Sequence, residues 1–292
     1  MVWVGAFLFL FGAEECSTLL SRARLAYETK NYVSAILEFE RALTACPDSG
    51  ALLLPLAQAQ LLSQRVEAAV ATLKRIDPRN VAALKLRADA VYILGDEPEA
   101  ENLLLQALAI EPRHEPSLYT LGRIYYQGKR YAEAAERFKQ MIIVDPKSYK
   151  AYDNLALCHE ALGQDDLAVK KYLQALDLVY KEHPEYDGVY ANMADFYLRR
   201  EQNEKAFQLA AEAARRNPSS ARNFFLTGKA LVKLNKQELS VRWLEQAIAL
   251  DSEYPEPRYL LSQVYRKLRR PADATAQLER FQELSKKPRA RR

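Results

Sequence analysis

The sequence predicts an all-α protein, an α-solenoid of stacked helical hairpins, from three observations. Only 9 of the 292 residues are Gly, 27% are charged, and the strong helix formers Ala, Leu, Glu, Gln, Lys and Arg dominate. Pro78, Pro112 and Pro146 recur with a 34-residue period. Between these prolines, apolar residues recur at helical spacing in two separate runs. A period of this length that holds two amphipathic helices is typical of a helical solenoid.

The segments around these prolines also resemble one another. In chain order they read ACPD (residues 45–48), IDPR (76–79), IEPR (110–113), VDPK (144–147) and RNPS (216–219). The spacing from Pro146 to Pro218 is two such periods plus four further positions. We place the extra residues in the stretch KEHPEYDG (181–188), just before the sixth repeat.

Residues 118–141 show how one repeat is built. Its first helix carries Leu118, Leu121, Gly122 and Tyr125, and its second carries Tyr131, Ala134, Ala135, Phe138 and Met141. Both sets follow the i, i+3, i+4, i+7 spacing of an amphipathic helix. The QGK segment (127–129) separates the two helices, and Pro146 ends the second because proline cannot continue a helix interior. We expect Tyr125 and Tyr131 to lie in the core and Gly122 to let its helix approach Ala134.

These residues resemble the tetratricopeptide repeat (TPR), whose 34-residue hairpin favours a large residue, Leu, Gly and Tyr on the first helix and Ala, Phe, Ala and Pro on the second. In the third repeat the matching residues are Leu84, Arg87, Ala88, Val91, Ala100, Leu104, Ala107 and Pro112; in the fourth, Leu118, Leu121, Gly122, Tyr125, Ala134, Phe138, Met141 and Pro146; in the fifth, Tyr152, Leu155, Ala156, His159, Ala168, Tyr172 and Ala175; in the sixth, Tyr190, Met193, Ala194, Tyr197, Ala206, Ala210, Ala213 and Pro218. Looser copies flank these four, so that eight repeats cover roughly residues 16–288. The resemblance implies a right-handed superhelix whose concave face is lined by the first helix of each repeat.

The second repeat and the last helix differ from the pattern. The second repeat is a few residues short and places Pro55 inside its first helix. The last helix, predicted over residues Pro271–Leu284, carries a polar outer face suited to ending the stack.

The first thirteen residues, MVWVGAFLFLFGA, form an apolar run that is too short to span a bilayer. Small residues and then two glutamates follow it, as in a signal-peptide cleavage region. We therefore divide the chain into a signal peptide or short hydrophobic segment (1–13), a TPR solenoid (14–285) and a basic tail (286–292). This division predicts an exported protein, periplasmic or secreted. The alternatives are a cytoplasmic protein whose first segment packs on the first helices, and a short membrane-associating anchor.

Cys16 and Cys46 lie at the two ends of the first hairpin, which an antiparallel arrangement brings together. In an exported protein this pair could form a disulfide, since oxidising compartments preserve disulfides. Two free thiols are the alternative.

Nothing in the sequence points to catalysis. It contains no GxxxxGK[ST], GxGxxG, GxSxG or HExxH motif, no CxxC pair, and no histidine spacing that would hold a metal. Asp165 and Asp166 lie in an inter-helix turn, where acidic residues favour the start of the next helix. His159 occupies a core position and Cys158 has no nearby base. We therefore predict a protein that is not an enzyme and has no catalytic residue, cofactor or metal.

The resemblance implies that partners bind the concave face. Its register selects Lys85, Asp89 and Tyr92; Tyr119, Arg123 and Tyr126; Lys150, Asp153, Asn154 and Glu160; Asn192, Asp195 and Arg199; Arg222, Phe225, Lys229 and Lys233; and Glu256, Tyr259, Gln263 and Arg266. From these we select as the candidate peptide-binding groove Lys85, Tyr119, Arg123, Tyr126, Asn154, Asn192, Arg222, Lys229 and Tyr259. Tyr, Arg and Asn together are typical of protein-binding surfaces. The predicted function is a scaffold that binds a peptide or protein segment, in cell-envelope or secretion assembly; an ordinary solvated groove is the alternative. Only Lys85 and Lys150 match the clamp by which some TPR proteins hold a C-terminal carboxylate, so that capture is not predicted.

A rival function follows from the charge distribution. Residues 258–292 contain eleven Lys or Arg and three Asp or Glu, a net +8, so the overall +4 leaves −4 for residues 1–257. The basic C-terminal region could bind nucleic acid or an anionic surface. The net negative charge of the rest of the chain argues against a nucleic-acid superhelix.

Overall fold

The computed structural model of the chain describes residues 3–46 and 49–286, and within this part the regular structure is entirely helical. The chain forms two compact units, Met1–Val144 and Asp145–Arg292. Each unit consists of antiparallel helical hairpins. The residues predicted as a basic tail lie, apart from Lys286, outside the described part.

The first unit contains four hairpins. Their helices are α1 (Trp3–Glu28) with α2 (Tyr32–Ala45), α3 (Leu53–Leu62) with α4 (Val66–Leu73), α5 (Val81–Ile93) with α6 (Glu97–Ile110), and α7 (Glu115–Gln127) with α8 (Tyr131–Val144). A short 3-10 helix, Ser49–Leu52, precedes α3. Pro55, which the sequence placed inside a first helix, lies in the first turn of α3, where the missing N–H costs no helical hydrogen bond.

The second unit contains four more hairpins. Their helices are α9 (Tyr149–Ala161) with α10 (Asp165–Glu182), α11 (Gly188–Arg199) with α12 (Asn203–Arg216), α13 (Ala221–Lys233) with α14 (Gln237–Leu250), and α15 (Pro255–Lys267) with α16 (Pro271–Ser285). Helix α10 has 18 residues, whereas α12 and α14 have 14 each. It continues through Tyr180, the place where the 34-residue period would put a proline, and the chain turns only at Pro184.

The eight hairpins of the described residues all turn in the same way. The residue with a left-handed backbone conformation always lies five positions before the small buried residue of the second helix; these residues are Lys30, Gln64, Gly95, Lys129, Gly163, Glu201, Asn235 and Arg269. The next N–H then donates back to a carbonyl five residues earlier, as from Arg130 N to Tyr125 O at 2.8 Å. This is the bond of a Schellman motif, which satisfies carbonyls at the helix C-terminus.

The core of each hairpin lies where its two helices cross. Ala134 is fully buried there as predicted, but the closest approach to Gly122 comes from the ring of Phe138. A Cβ on Gly122 would lie 2.8 Å from two ring atoms of Phe138. Gly228 has the same relation to Leu244, again at 2.8 Å. A glycine at this place therefore makes room for the large side chain of the partner helix.

The two tyrosines predicted as core residues of the fourth hairpin differ. Tyr125 is buried, donates its hydroxyl to Glu101 Oε1 at 3.0 Å, and has the Arg130 guanidinium 4.0 Å above its ring centre. Tyr131 is only half-buried. It is the first residue of α8, so its ring packs at the edge of the hairpin instead of its centre.

Candidate functional site

The nine residues predicted to contact a partner all lie on first helices of hairpins. The unit 1 face comprises Lys85 on α5 and Tyr119, Arg123 and Tyr126 on α7; the unit 2 face comprises Asn154 on α9, Asn192 on α11, Arg222 and Lys229 on α13, and Tyr259 on α15. All are half-buried or exposed, so each side chain has some access to solvent.

On α5, Lys85 is engaged within its own helix. Its Nζ donates to Asp89 Oδ2 at 2.5 Å, across one helical turn. Burial raises the pKa of Asp89, while the hydrogen bond and the charge of Lys85 act in the opposite direction. The pair therefore presents a nearly neutral patch to a partner.

On α7 the unit 1 face is aromatic. Tyr119 packs edge-on against Phe138 with ring centres 6.4 Å apart, and Tyr126 packs edge-on against Tyr131 at 5.3 Å. The exposed Arg123 guanidinium lies 5.8 Å from the Tyr119 ring centre, within the range of a cation–π interaction. One edge of each ring is thus held by the hairpin, and the rest can meet a partner.

The unit 2 face is built around a buried carboxylate. Asp153 was predicted to line the concave face, but it is only 2% exposed. Asn192 Nδ2 donates to both of its oxygens, at 3.1 and 3.0 Å, and Asn192 Oδ1 accepts from Arg222 Nη2 at 3.0 Å. Burial raises the pKa of Asp153 to about 6, against the lowering effects of Asn192, Arg222 and Tyr186. Asn192 therefore bridges a buried anion and an exposed cation.

The residues between α10 and α11 (183–187) belong to the insertion predicted from the sequence and are called the inserted stretch below. The inserted stretch closes over the Asp153 carboxylate. The Tyr186 hydroxyl lies 3.5 Å from Asp153 Oδ2, and the Tyr186 ring packs against Tyr149 with centres 4.6 Å apart. Asp187 accepts from Asn223 Nδ2 at 2.6 Å, on the first turn of α13. The inserted stretch therefore connects α9, through Tyr186, to α13, through Asp187.

The other members of the unit 2 face vary in their engagement. Asn154 Nδ2 donates to the carbonyl of Lys150, one turn back, at 2.8 Å. Lys229 Nζ lies 3.8 Å from Asp195 Oδ1. Tyr259 is 45% exposed, and its ring lies 5.0 Å from that of Phe281 on α16. Of these three, Tyr259 offers the largest exposed apolar surface.

A surface cavity of about 520 Å³ opens beside Arg222. Its lining residues are Ser219, Ala221, Arg222, Leu250, Asp251 and Tyr254. Burial, followed by the charge of Glu256, raises the pKa of the Tyr254 hydroxyl to about 12, so that this group stays a neutral donor. The cavity therefore joins one guanidinium, one carboxylate and one phenol at the start of α13.

The residues set aside as structural behave accordingly. His159 is buried and its Nδ1 lies 2.6 Å from Gln164 Oε1. Burial raises the pKa of the Cys158 thiol to about 12, which keeps it protonated and unreactive. Asp165, predicted in the turn before this helix, is the first residue of α10, where acidic side chains favour the helix N-terminus, and it also pairs with Arg200, the residue that follows α11.

The described residues contain no group of three or more His, Cys, Asp or Glu that could hold a metal ion. None of the described helices combines the length and apolar character needed to cross a membrane.

Cys16 and Cys46 are joined in a disulfide, with their Cα atoms 5.2 Å apart. Of the two alternatives that the sequence left open, the structure has the bonded pair. It links α1 to the residue that follows α2, across a separation of 30 residues.

Sequence reasoning missed Tyr186 and Asp187, which complete the unit 2 face from outside the repeat register. The signal that could have found them is the insertion itself, because an extra segment beside the first helices must fold against something. It also missed the role of Asn192, whose amide is already engaged by Asp153 and Arg222 within the protein.

Comparison with known proteins places this geometry in a family. Models of the tetratricopeptide repeat match residues 26–90, 92–156 and 151–182, and a TPR repeat model matches residues 228–268. The TPR repeat-containing protein YpiA of Bacillus subtilis is 25% identical over 235 residues, which is 70% of this chain and 56% of YpiA. The chain thus spans about half the length of that relative.

Solved structures agree on the fold. A tetratricopeptide repeat protein from Parabacteroides merdae superposes with a TM-score of 0.70 at 21% identity, over 86% of this chain and 99% of that one. The APC/C hetero-tetramer Cut9–Hcn1 gives a TM-score of 0.66 at 13% identity, over 92% of this chain and 53% of that one. The predicted all-α solenoid class and the TPR resemblance are therefore confirmed, and this chain belongs to the tetratricopeptide repeat family.

Proposed function

We propose that this protein is a binding scaffold that takes a peptide or protein segment on its first-helix faces. One observation carries the proposal: Tyr, Arg, Asn and Lys side chains with access to solvent follow one another on consecutive first helices. Tyr and Arg supply much of the binding energy at protein interfaces. Rings held on one edge, such as those of Tyr119 and Tyr126, lose little conformational entropy when they bind.

Family membership supports the same function. TPR proteins are generally protein-binding scaffolds without catalytic activity, and one similar structure is described as a hetero-tetramer, Cut9–Hcn1 of the APC/C. We infer the scaffold role from this similarity, but not the identity of the partners.

We further propose that the protein is exported and works in the cell envelope or in secretion. The apolar first thirteen residues suggest a signal segment. The Cys16–Cys46 disulfide supports the same setting, because structural disulfides persist in oxidising compartments and are rare in the cytosol.

The binding function is tested by capture of partners from the source organism, with crosslinking and mass spectrometry. The triple variant Tyr119→Ala, Arg123→Ala and Asn154→Ala should lose the partners that the wild type captures, while its melting temperature holds. A matched control replaces one tyrosine, one lysine and one amide on exposed second-helix surface, Tyr180→Ala, Lys139→Ala and Gln174→Ala, and should retain them. Equal retention by both variants would place the interaction elsewhere.

Export has a separate test. N-terminal sequencing of the mature protein should begin after the apolar segment, and thiol alkylation without reductant should label Cys158 only after unfolding and leave Cys16 and Cys46 unlabelled. An intact first methionine together with three alkylated cysteines would indicate a cytoplasmic protein.

A further inference from the structure

The cations of the unit 2 face are unevenly distributed among its first helices. Counting Lys and Arg against Asp and Glu, α9 has one against two, α11 has one against one, α13 has three against none, and α15 has three against one. The surplus positive charge therefore lies on α13 and α15.

The charges on α9 and α11 neutralise one another. Arg199 Nη2 lies 2.5 Å from Glu160 Oε1, and its Nη1 lies 2.5 Å from Asp195 Oδ2. Both carboxylates are thus already paired. A ligand that approached this part of the face would have to break internal ion pairs before it could form its own.

The three cations of α13 are less engaged. Lys229 has its closest carboxylate at 3.8 Å, on Asp195, which Arg199 already pairs. Arg222 and Lys233 have no carboxylate within 4.0 Å among the described residues. Arg222 is instead oriented by Asn192, since its Nη2 donates to the neutral amide oxygen at 3.0 Å.

Aromatic surface lies between these cations. Phe225 is half-buried on the same side of α13, 6.0 Å below Lys229 Nζ, and packs edge-on against Tyr254 at 5.4 Å. One repeat later in the chain, Tyr259 occupies the place of Phe225 and is exposed. Helix α13 therefore presents three cations and the apolar ring of Phe225 on one side, and the open cavity lies beside Arg222.

We propose that the surface formed by Arg222, Phe225, Lys229, Lys233 and Tyr259 docks an acidic segment of a partner polypeptide that carries an apolar side chain among its acidic ones. This proposal rests on the proposed function and names the kind of segment that the unit 2 face selects. Carboxylates would pair with the three cations, and the apolar side chain would cover Phe225 and Tyr259. Complementary charge of this kind mainly sets specificity and association rate.

The spacing of the cations specifies the segment further. At about 1.5 Å of rise per residue, Arg222 and Lys229 are about 10 Å apart along α13, and Lys229 and Lys233 about 6 Å. An extended chain covers about 3.3 Å per residue, so acidic residues about three and then about two positions apart would reach all three cations.

A polypeptide fits this surface better than nucleic acid does. Glu256, at the place on α15 equivalent to Arg222, lies on the same face and would repel a continuous phosphate backbone. Glu160 on α9 and Asp195 on α11 are paired with Arg199, so that part of the face offers a phosphate backbone no surplus of positive charge. A polypeptide can place a carboxylate beside each cation and leave neutral groups elsewhere. Nucleic-acid binding also relies on many phosphate contacts, whereas α13 offers three cations.

The experiment probes the full-length chain with an array of short, terminally blocked peptides of random sequence. Blocking removes terminal carboxylates, so that only side-chain charge is tested. The surface variant is Lys229→Gln with Lys233→Gln; Arg222 is left in place because its loss would also disturb Asn192. The control is Lys170→Gln with Arg242→Gln, two exposed cations at the same place of α10 and α14, which gives an equal change in net charge.

We expect wild-type binders to be enriched in Asp and Glu together with an apolar residue. Fluorescence anisotropy on the strongest acidic binder should show about a ten-fold loss of affinity in the surface variant and little loss in the control. Peptide binding without acidic enrichment, or equal losses in both variants, would overturn this inference and leave the proposed function standing. Absence of any peptide binder would overturn both. Displacement of the acidic peptide by single-stranded DNA at lower concentration than by unlabelled peptide would overturn the inference in favour of a nucleic-acid partner.

Discussion

Tyr119 on α7 and Asp153 on α9 occupy the same place in consecutive repeats, and their environments differ completely. Tyr119 is half-buried, with its ring edge-on to Phe138 of its own hairpin. Asp153 is 2% exposed and held by Asn192 of the next hairpin and Tyr186 of the inserted stretch.

The difference shows that the same repeat position can make contacts within its own hairpin or with other hairpins. A ring at this place is supported by the second helix of the same hairpin, so changes to it should stay local. A carboxylate must find hydrogen-bond donors, because an unpaired buried charge is very costly. It therefore couples α9 to α11, and through Asn192 to Arg222 on α13.

The largest effect should come from the ionisation of Asp153. Its folded-state pKa is about 6, above the usual value of about 4, so the folded state holds a proton that the unfolded state releases between these pH values. The resulting stabilisation is fully present below about pH 4 and is lost as the pH rises through about 6, and a shift of about two pKa units corresponds to a loss on the order of 3 kcal/mol.

The variant Asp153→Asn isolates this contribution. Between pH 4.5 and 7.5, the free energy of unfolding of the second unit should decline less in the variant than in the wild type. Hydrogen exchange of α9 and α11 amides reports on that unit alone, since a chain of repeats need not unfold in one step. Parallel pH profiles for the two proteins would mean that Asp153 is not the group that titrates.

The next effect separates two asparagines that occupy equivalent places, Asn192 and Asn154. Removing the Asn192 amide leaves the buried Asp153 carboxylate without its principal donor, so Asn192→Ala should cost about 2–3 kcal/mol. Asn154 Nδ2 donates to the carbonyl of Lys150 on its own helix, and Asn154→Ala should cost less than about 0.5 kcal/mol. Chemical denaturation of both variants gives the comparison, and equal costs would show that the Asp153 network contributes little to stability.

The fold could be predicted from the sequence because its signals are local and repeat. The prolines at 34-residue spacing and the apolar positions within each period lie on the helices that they define. The last helix, predicted over residues Pro271–Leu284, ends within one residue of the observed Pro271–Ser285. The left-handed turns were harder to predict from the sequence, since only Gly95 and Gly163 among the eight left-handed turn residues are glycines.

The unit 2 face could not be predicted as fully, because its contacts join distant parts of the chain. Asp153 meets Tyr186 across 33 residues and Asn192 across 39. The repeat register correctly placed Asp153 and Asn192 on first helices. It could not show that the inserted stretch would cover Asp153 or that Asn192 would hydrogen-bond to the Asp153 carboxylate. The register gives the position of a residue on its helix, but not the distant residues that its side chain contacts.

A smaller effect tests the local side of the comparison. In Gly122→Ala the new methyl group would lie 2.8 Å from the ring of Phe138, which is fully buried and cannot move aside freely. Overpacking of this kind should cost about 1–3 kcal/mol. Gly50→Ala is the matched control, since among the described residues no atom beyond those of its chain neighbours lies within 4 Å of the added Cβ, and we expect a change within about 0.5 kcal/mol. A neutral Gly122→Ala would mean that the Phe138 ring, and with it the support of Tyr119, is loosely held.

The smallest effect compares the loss of a single hydroxyl on each side. Tyr119→Phe keeps the ring against Phe138, so the free energy of unfolding should change by less than about 0.5 kcal/mol. Tyr186→Phe removes the hydroxyl beside Asp153, whose contact lowers the pKa of that carboxyl, so the pKa of Asp153 should rise further. Carbon-detected NMR titration of the Asp153 carboxyl in both variants measures this directly. An upward shift in Tyr186→Phe with none in Tyr119→Phe would confirm that the carboxylate depends on the inserted stretch; an unchanged midpoint in Tyr186→Phe would leave Asn192 and Arg222 as the groups that hold it ionised at neutral pH.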